Sequence, residues 1–330
     1  MIYNWTWEIW LILLLQDTGD WLTPLMEVFT WTGYPQAYMI LIAVIYWAFD
    51  RKLGMRLAIF LPLSASVNSI LKQAIHAPRP FWVDNRILAI HAENGFGMPS
   101  GHAQSATVWL LAGAYLRKGW IWILAMVLTL GVGLSRAYLG VHSPSQIIVG
   151  WLIGIVLIIL FLRFESSVLI WLGKLKLFKQ LLFVLACSML IFLLGSIFVL
   201  MLNSWEMPFD WIRNASAYLP VDRAGLMSYG MASVTGNTGS FLGVTMGAIL
   251  IHRKGNFNVA GLWWIRLLRI VLGLICLVLL YTGLQLISPD TNLPFLYAGW
   301  RFLGFYFIAI SAVYILPLLF TRLNLLQMKS

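Results

Sequence analysis

Ile147 to Leu162 reads Ile-Ile-Val-Gly-Trp-Leu-Ile-Gly-Ile-Val-Leu-Ile-Ile-Leu-Phe-Leu, without a charge, and Arg163 closes it. An α-helix needs about 20 mostly apolar residues to cross the roughly 30 Å hydrocarbon core of a bilayer, and this run is close to that length. Eight further runs match it, near Tyr34–Phe49, Leu53–Leu71, His102–Leu116, Trp120–Tyr138, Leu177–Leu202, Ser233–Ile251, Leu262–Leu286 and Tyr297–Phe320. The 330 residues are 61% hydrophobic and 10% charged, with mean hydropathy +0.85. That composition excludes a soluble globular protein and a disordered one, both of which need far more polar surface. The sequence therefore predicts an all-α, polytopic transmembrane helical bundle with about nine crossings and no room for a soluble domain.

The net charge of +10 is not a nucleic-acid signal, because the Lys and Arg residues come in scattered pairs between apolar runs and form no basic stripe. Alternate loops hold them unequally. Fifteen of the 22 fall on one side; the other side holds Lys72, Arg79, Arg86, Arg136, Arg213, Arg223 and Arg301. By the positive-inside rule the N-terminus is outside and the C-terminus cytoplasmic. No Lys or Arg precedes Arg51, so Trp5–Leu15 lacks a signal peptide's basic region and reads as an interfacial helix. Asn203–Ala232 is the longest polar interval and reads as an external loop with its own interfacial helix. Asn214-Ala215-Ser216 matches a glycosylation sequon, a match common by chance. Gly239, Gly243 and Gly247 recur at the spacing that admits a second helix closely. Cys187 and Cys276 lie in apolar runs and read as packing residues.

The chemistry collects on the outer side. Ser64, Asn68 and Lys72 are four apart and share one helix face, while Pro78 and Pro80 flank Arg79 where the chain must turn. Pro99-Ser100-Gly101-His102 opens the third crossing, with Ser100 as N-cap and free backbone N–H groups that suit an anion. Arg136 lies near a membrane-helix end, an expensive place for a guanidinium without an anionic partner, and His142 follows before Ser143-Pro144. Taken singly, each of these has a bland reading as a snorkelling cation, a turn or a loop histidine. Two histidines and three cations on one membrane face are what phosphoryl transfer needs: charge neutralisation, a nucleophile and an acid. His76, His91 and His252 carry weaker signals.

These segments, Lys72 with Arg79-Pro80, Pro99-Ser100-Gly101-His102, and Ser135-Arg136 with His142, strongly resemble the three-part signature of the type-2 phosphatidic acid phosphatase superfamily of membrane lipid phosphatases. The likeness extends from about Leu15 to Leu162. It implies a six-helix-type phosphatase core, which with the N-terminal interfacial helix makes up residues 1–172, and a metal-free, cofactor-free site at the outer face; the additional C-terminal helices of residues 173–330 rest on hydropathy only. By the family pattern His142 is the nucleophile, His102 the general acid and later base, and Lys72, Arg79, Ser100, Gly101 and Arg136 bind phosphate. The partners implied are a lipid phosphate or isoprenyl diphosphate and membrane lipids, with self-association left open; short loops fit a bacterial cytoplasmic membrane.

One position departs. Four residues after the nucleophile the family pattern has an aspartate, and this chain has Gln146. A glutamine carbonyl can hold the imidazole tautomer but brings no charge, and the Asp-to-Asn change in a serine protease triad costs about 10⁴ in turnover. Ser143-Pro144-Ser145-Gln146 also fits a capping box, so Gln146 is read either as orienter or as cap. Asp84 and Glu93 lie in the same outer loops and are candidates for the missing carboxylate. Besides hydrolysis, two readings stay open: transfer of the phosphoryl group to a lipid or sugar hydroxyl, and a noncatalytic lipid-phosphate binder or transporter.

Overall fold

The computed structural model describes residues 5–219, 223–290 and 293–328. Among them the chain is helical almost throughout. The helices are α1 Thr6–Gln16, α2 Thr23–Thr32, α3 Pro35–Phe49, α4 Arg51–Ile75, α5 Pro80–Val83, α6 Gly101–Ala106, α7 Val108–Leu116, α8 Gly119–Tyr138, α9 Pro144–Gly173 and α10 Leu177–Met201, continuing with α11 Phe209–Ser216, α12 Arg223–Arg253, α13 Trp263–Leu286, α14 Pro294–Ile310 and α15 Leu316–Arg322. Two short strands, β1 Phe257–Asn258 and β2 Gln327–Met328, pair antiparallel with Phe257 opposite Met328.

Among the described residues seven helical stretches are long and apolar enough to cross a membrane, eight if Asp20–Thr32 and Pro35–Phe49, bent by 59°, form one broken span. Nine crossings were expected. The two runs outside the seven are Tyr34–Phe49, in that bent pair, and His102–Leu116, which is built of the consecutive short helices α6 and α7 joined at Thr107. The Thr107 hydroxyl donates to the Gln104 carbonyl at 2.7 Å, a local bond that competes with the helical ladder.

The chain divides into two compact units. The first comprises residues 1–37, 67–160 and 194–231. In it α2 and α1 pack on α8, and the Thr30 and Ser135 hydroxyls meet at 2.8 Å. The N-terminal helix buries Ile9 and Ile12, and the buried Glu8 accepts the Ser145 N–H at 3.1 Å, where a carboxylate complements the N-terminal end of α9. The polar interval Asn203–Ala232 contributes α11, packed on α5; residues 220–222 of that interval lie outside the described residues. Asn214, the sequon asparagine, is inside α11 and donates to the Trp82 carbonyl at 3.0 Å, and Ala215 is fully buried.

The second unit comprises residues 38–66, 161–193 and 232–330. The glycine stripe of α12 does what its spacing predicts: a methyl at Gly239 or Gly243 would run into the carbonyls of Phe302 or Tyr306 on α14. Two π-helical segments, Ile45–Phe49 and Ser311–Ile315, are bonded to each other, Tyr46 Oη to the Val313 carbonyl and Trp47 Nε1 to the Ala312 carbonyl, both at 2.9 Å. The wider π turn releases carbonyls that these side chains then satisfy.

Candidate active site

Three segments of the first unit supply the site, and local chain chemistry places each. The α4 helix delivers Lys72 on the face that also carries Asn68. Asn68 Nδ2 donates to Gln104 Oε1 at 2.8 Å, and Lys72 Nζ donates to the Phe96 carbonyl at 2.7 Å. Ser100 caps α6, its hydroxyl accepting the Ala103 N–H at 3.4 Å, and its own N–H donates to the Gln146 carbonyl at 3.0 Å. Gly101 keeps that helix start close to α4, since a methyl there would lie 3.3 Å from Asn68 Oδ1. The end of α8 places Arg136 and His142 together. Gly140 takes φ +72°, and the Val141 and His142 N–H groups both return to the Arg136 carbonyl at 3.2 Å. This is a Schellman-type ending that needs a left-handed residue after the last turn.

Arg79 is the hub. Its Nε donates to the Gly95 carbonyl at 2.8 Å and Nη2 to the Asn94 carbonyl at 3.1 Å; Nη1 reaches the Val141 carbonyl at 3.1 Å and His142 Nε2 at 3.2 Å. A guanidinium only donates, so Nε2 of His142 is the acceptor and Nδ1 carries the proton. That proton points to Gln146 Oε1 at 3.1 Å. The same oxygen accepts the Ser143 N–H at 3.3 Å, so Gln146 holds the histidine and makes one half of a capping box together, while the Ser143 hydroxyl meets Ser145 Oγ at 3.1 Å. Its amide cannot flip without loss, because Nε2 donates to the Pro78 carbonyl at 2.7 Å.

Gly97 makes room for this arrangement. A methyl there would fall 2.5 Å from Gln146 Nε2 and 2.6 Å from the Pro78 carbonyl oxygen. Gly97→Ala is expected to shift the Gln146 amide and lower kcat about 10- to 100-fold at nearly unchanged KM, the cost of a misplacement near 1 Å. Steady-state kinetics with thermal unfolding as a control checks this; wild-type kcat would show that the amide does not depend on Gly97.

Burial pushes the His142 imidazole well below its ordinary value of 6.5, and Arg79, Lys72 and Arg136 push it the same way. The ring is therefore neutral at pH 7, with its lone pair on Nε2. Glu93 enters from the loop between α5 and α6. Its Oε2 lies 3.2 Å from Arg79 Nη2, and its Oε1 pairs with Arg136 Nη2 and lies 3.8 Å from His102 Nδ1. Burial works against its charged form. The cations outweigh it, Arg136 foremost, and hold the carboxyl well below the usual range. With neutral histidines, three cations against one carboxylate leave an excess positive charge suited to a phosphoryl group.

Lys72, Arg79, Arg136, His102 and His142, with Gln146, Ser100 and Gly101, thus come from distant parts of the chain into one region of the first unit. Ser100 is fully buried, with its N–H already engaged. His76 faces Phe96 and Trp205 rather than this cluster, and His91 pairs with Glu27 at 2.9 Å. Asp84 is bound to Arg86 at 2.6 Å, so Glu93 alone of the two loop carboxylates joins the site. Thr30, which accepts from Arg136 Nη1 at 3.3 Å, and Gly97 carry no motif that marks them in the sequence. Among the described residues no three His, Cys, Asp or Glu side chains are grouped to hold a metal ion.

Family models match two stretches of the chain to known proteins. Residues 53–170 match the PAP2 superfamily, and residues 235–329 match the PAP2 superfamily phosphatase transmembrane extension. The chain belongs to the PAP2 superfamily. With its apolar helices and that extension, this PAP2 protein is an integral membrane protein. It is 30% identical over 133 residues to the undecaprenyl-diphosphatase of Sulfolobus acidocaldarius, covering 40% of this chain and 62% of that protein. It is 29% identical over 174 residues to phosphatidylglycerophosphatase B of Bacillus subtilis, covering 48% and 80%. The chain thus spans less than two thirds of the first of these relatives. The crystal structure of a transmembrane PAP2 type phosphatidylglycerolphosphate phosphatase from Bacillus subtilis superposes with TM-score 0.44 at 23% identity, over 51% of this chain and 88% of that one.

Proposed function

We propose that this PAP2 protein hydrolyses a lipid phosphate or isoprenyl diphosphate at the outer membrane face through a phosphohistidine intermediate. The observation that carries the reading is the state of His142: neutral, Nδ1–H held by Gln146, and Nε2 turned to Arg79. A phosphoryl group drawn to Arg79 would take over its Nη1 and release the Nε2 lone pair for attack on phosphorus. The P–O bond to the lipid then breaks as the P–N bond forms, and His102, which takes up a proton as the anionic substrate binds, gives it to the leaving oxygen. In the second half, His102 takes a proton from water, the water oxygen bonds to phosphorus, and His142 leaves with the lone pair restored. Lys72, Arg79 and Arg136 neutralise charge that grows on the nonbridging oxygens, and Ser100 and Gly101 lie at the adjoining helix start.

The lipid class is supported by both relatives, one an undecaprenyl-diphosphatase and the other a phosphatidylglycerophosphatase. The uneven spread of Lys and Arg supports an outward-facing site, and the short loops support a bacterial cytoplasmic membrane. The test is phosphate release by the full chain in detergent from phosphatidic acid, phosphatidylglycerophosphate and undecaprenyl diphosphate. Label from the substrate should also be trapped on the protein as an acid-labile, base-stable adduct. Label appearing on an acceptor hydroxyl in place of free phosphate would make the protein a phosphotransferase. No turnover on any of them, with a large gain on Gln146→Asp, would make it a degenerate binder.

A further inference from the structure

Glu93 occupies one Nη2 group on each of Arg79 and Arg136, two of the donors that a phosphoryl substrate would use, while Arg136 Nε is buried without a hydrogen-bond partner among the described residues. Apart from one bond from Arg79 Nη2 to the Asn94 carbonyl, the two Nη2 groups of Arg79 and Arg136 are given to its carboxylate, whereas Arg79 Nε and Nη1 are spent on loop carbonyls and His142, and Arg136 Nη1 on Thr30. The side chain keeps 24% of its surface exposed, so it is within reach of an incoming ligand. A carboxylate and a phosphate cannot share these two groups at hydrogen-bonding distance without strong like-charge repulsion. His102 is the remaining cationic or donor group near the carboxylate, its Nδ1 3.8 Å from Oε1, and a movement of about 1 Å makes that a hydrogen bond.

We propose that Glu93 is a positioning residue with two stations: it holds Arg79 and Arg136 in register until a phosphoryl group displaces it, and then becomes the charged partner of His102 Nδ1. The inference rests on the phosphatase reading for its second station. There the carboxylate stabilises the imidazolium of His102: one proton stays on Nδ1, and a second, taken up on Nε2 as the anionic substrate binds, goes to the leaving oxygen, after which the freed Nε2 deprotonates water. His102 Nε2 is buried and has no hydrogen-bond partner among the described residues, so it is available for that exchange. The carboxylate missing at position 146 is thereby supplied on the opposite imidazole, by a residue nine positions before His102. The charged and titratable groups that face Glu93 are Lys72 on α4, Arg79 beside α5, His102 on α6, and Arg136 and His142 at and after the end of α8.

The experiment pairs two readouts on the full chain in detergent: binding of inorganic phosphate, followed as stabilisation against thermal unfolding, and kcat with phosphatidic acid. Glu93→Gln removes the competing charge and the His102 partner together. Phosphate is expected to bind about tenfold more tightly, since the free site is no longer held by an internal anion. Over the same change kcat is expected to fall about 100-fold, within the range of general acid–base catalysis. A merely structural role would loosen both guanidiniums and move the two readouts in the same direction. Equal or weaker phosphate binding by the variant overturns the first station, and unchanged kcat overturns the second. If the wild type releases no phosphate, the phosphatase reading fails, and with it the second station, while tighter phosphate binding by the variant still upholds the first. Should Glu93→Gln not fold, Glu93→Asp keeps the charge on a shorter arm. It is then expected to bind phosphate no more tightly than wild type with kcat about tenfold lower, and wild-type kcat or tighter phosphate binding overturns the proposal.

Discussion

His142→Ala is expected to abolish phosphate release, with kcat lower by about 10⁵- to 10⁶-fold, the scale seen when a nucleophile that works as part of a unit is removed. The imidazole is the group whose lone pair faces Arg79, and it is kept neutral by burial among three cations. Alanine leaves Arg79 bound to the Gly95, Asn94 and Val141 carbonyls, so the loop holding the phosphate-binding groups keeps its anchors. Phosphate binding should therefore survive while the trapped phosphoenzyme disappears. Phosphate release by the variant within tenfold of wild type, with the protein shown to be folded, would reject a phosphohistidine at this position.

Gln146→Leu is expected to lower kcat by about 10² to 10⁴, because a side chain of similar shape that cannot accept a hydrogen bond no longer fixes the proton on Nδ1. The tautomer with the proton on Nε2 has no lone pair to attack with. Leucine also leaves the Ser143 N–H and the Pro78 carbonyl without their partner at a buried site, so a modest loss of thermal stability accompanies the kinetic loss. The two effects separate on Gln146→Glu. A carboxylate keeps an acceptor for His142 and for Ser143, but its second oxygen meets the Pro78 carbonyl oxygen in place of a donor. Turnover above that of the leucine variant, at comparable stability, is the result that assigns the kinetic loss to tautomer control. Equal turnover in wild type and Gln146→Leu would reduce Gln146 to a helix cap.

Several of these elements were legible in advance for definable reasons. Apolar runs such as Leu177–Leu202 and Leu262–Leu286 appear as single helices with ends within a residue or so, because a bilayer-length run allows one structure that satisfies its backbone internally. His102–Leu116 was less legible. Its composition is that of a crossing, yet the hydroxyl of Thr107 and the polar start at Gly101 break it into two shorter helices. Helix α2 escaped notice because Thr23, Glu27, Thr30 and Thr32 dilute its apolar character, and its reason for being helical lies in α8, against which it packs.

The candidate site divides in the same way. Residue types that carry charge or a titratable ring, at the end of an apolar run, advertise themselves: Lys72, Arg79, His102, Arg136 and His142 could be picked out because polar groups there are costly unless used. Order along the chain also showed that three separate segments had to meet if these residues were to form one site. What the order of residues could not convey is which oxygen faces which nitrogen. That Glu93 and not Asp84 joins the cations, that Gln146 is both cap and orienter, and that Gly97 is small for the sake of an amide nearly fifty residues away are matters of a few tenths of an ångström. Hydrophobicity and charge act over whole segments and are written in composition. Hydrogen bonds and van der Waals exclusion act only at contact, and contact exists only once the helices and loops have packed.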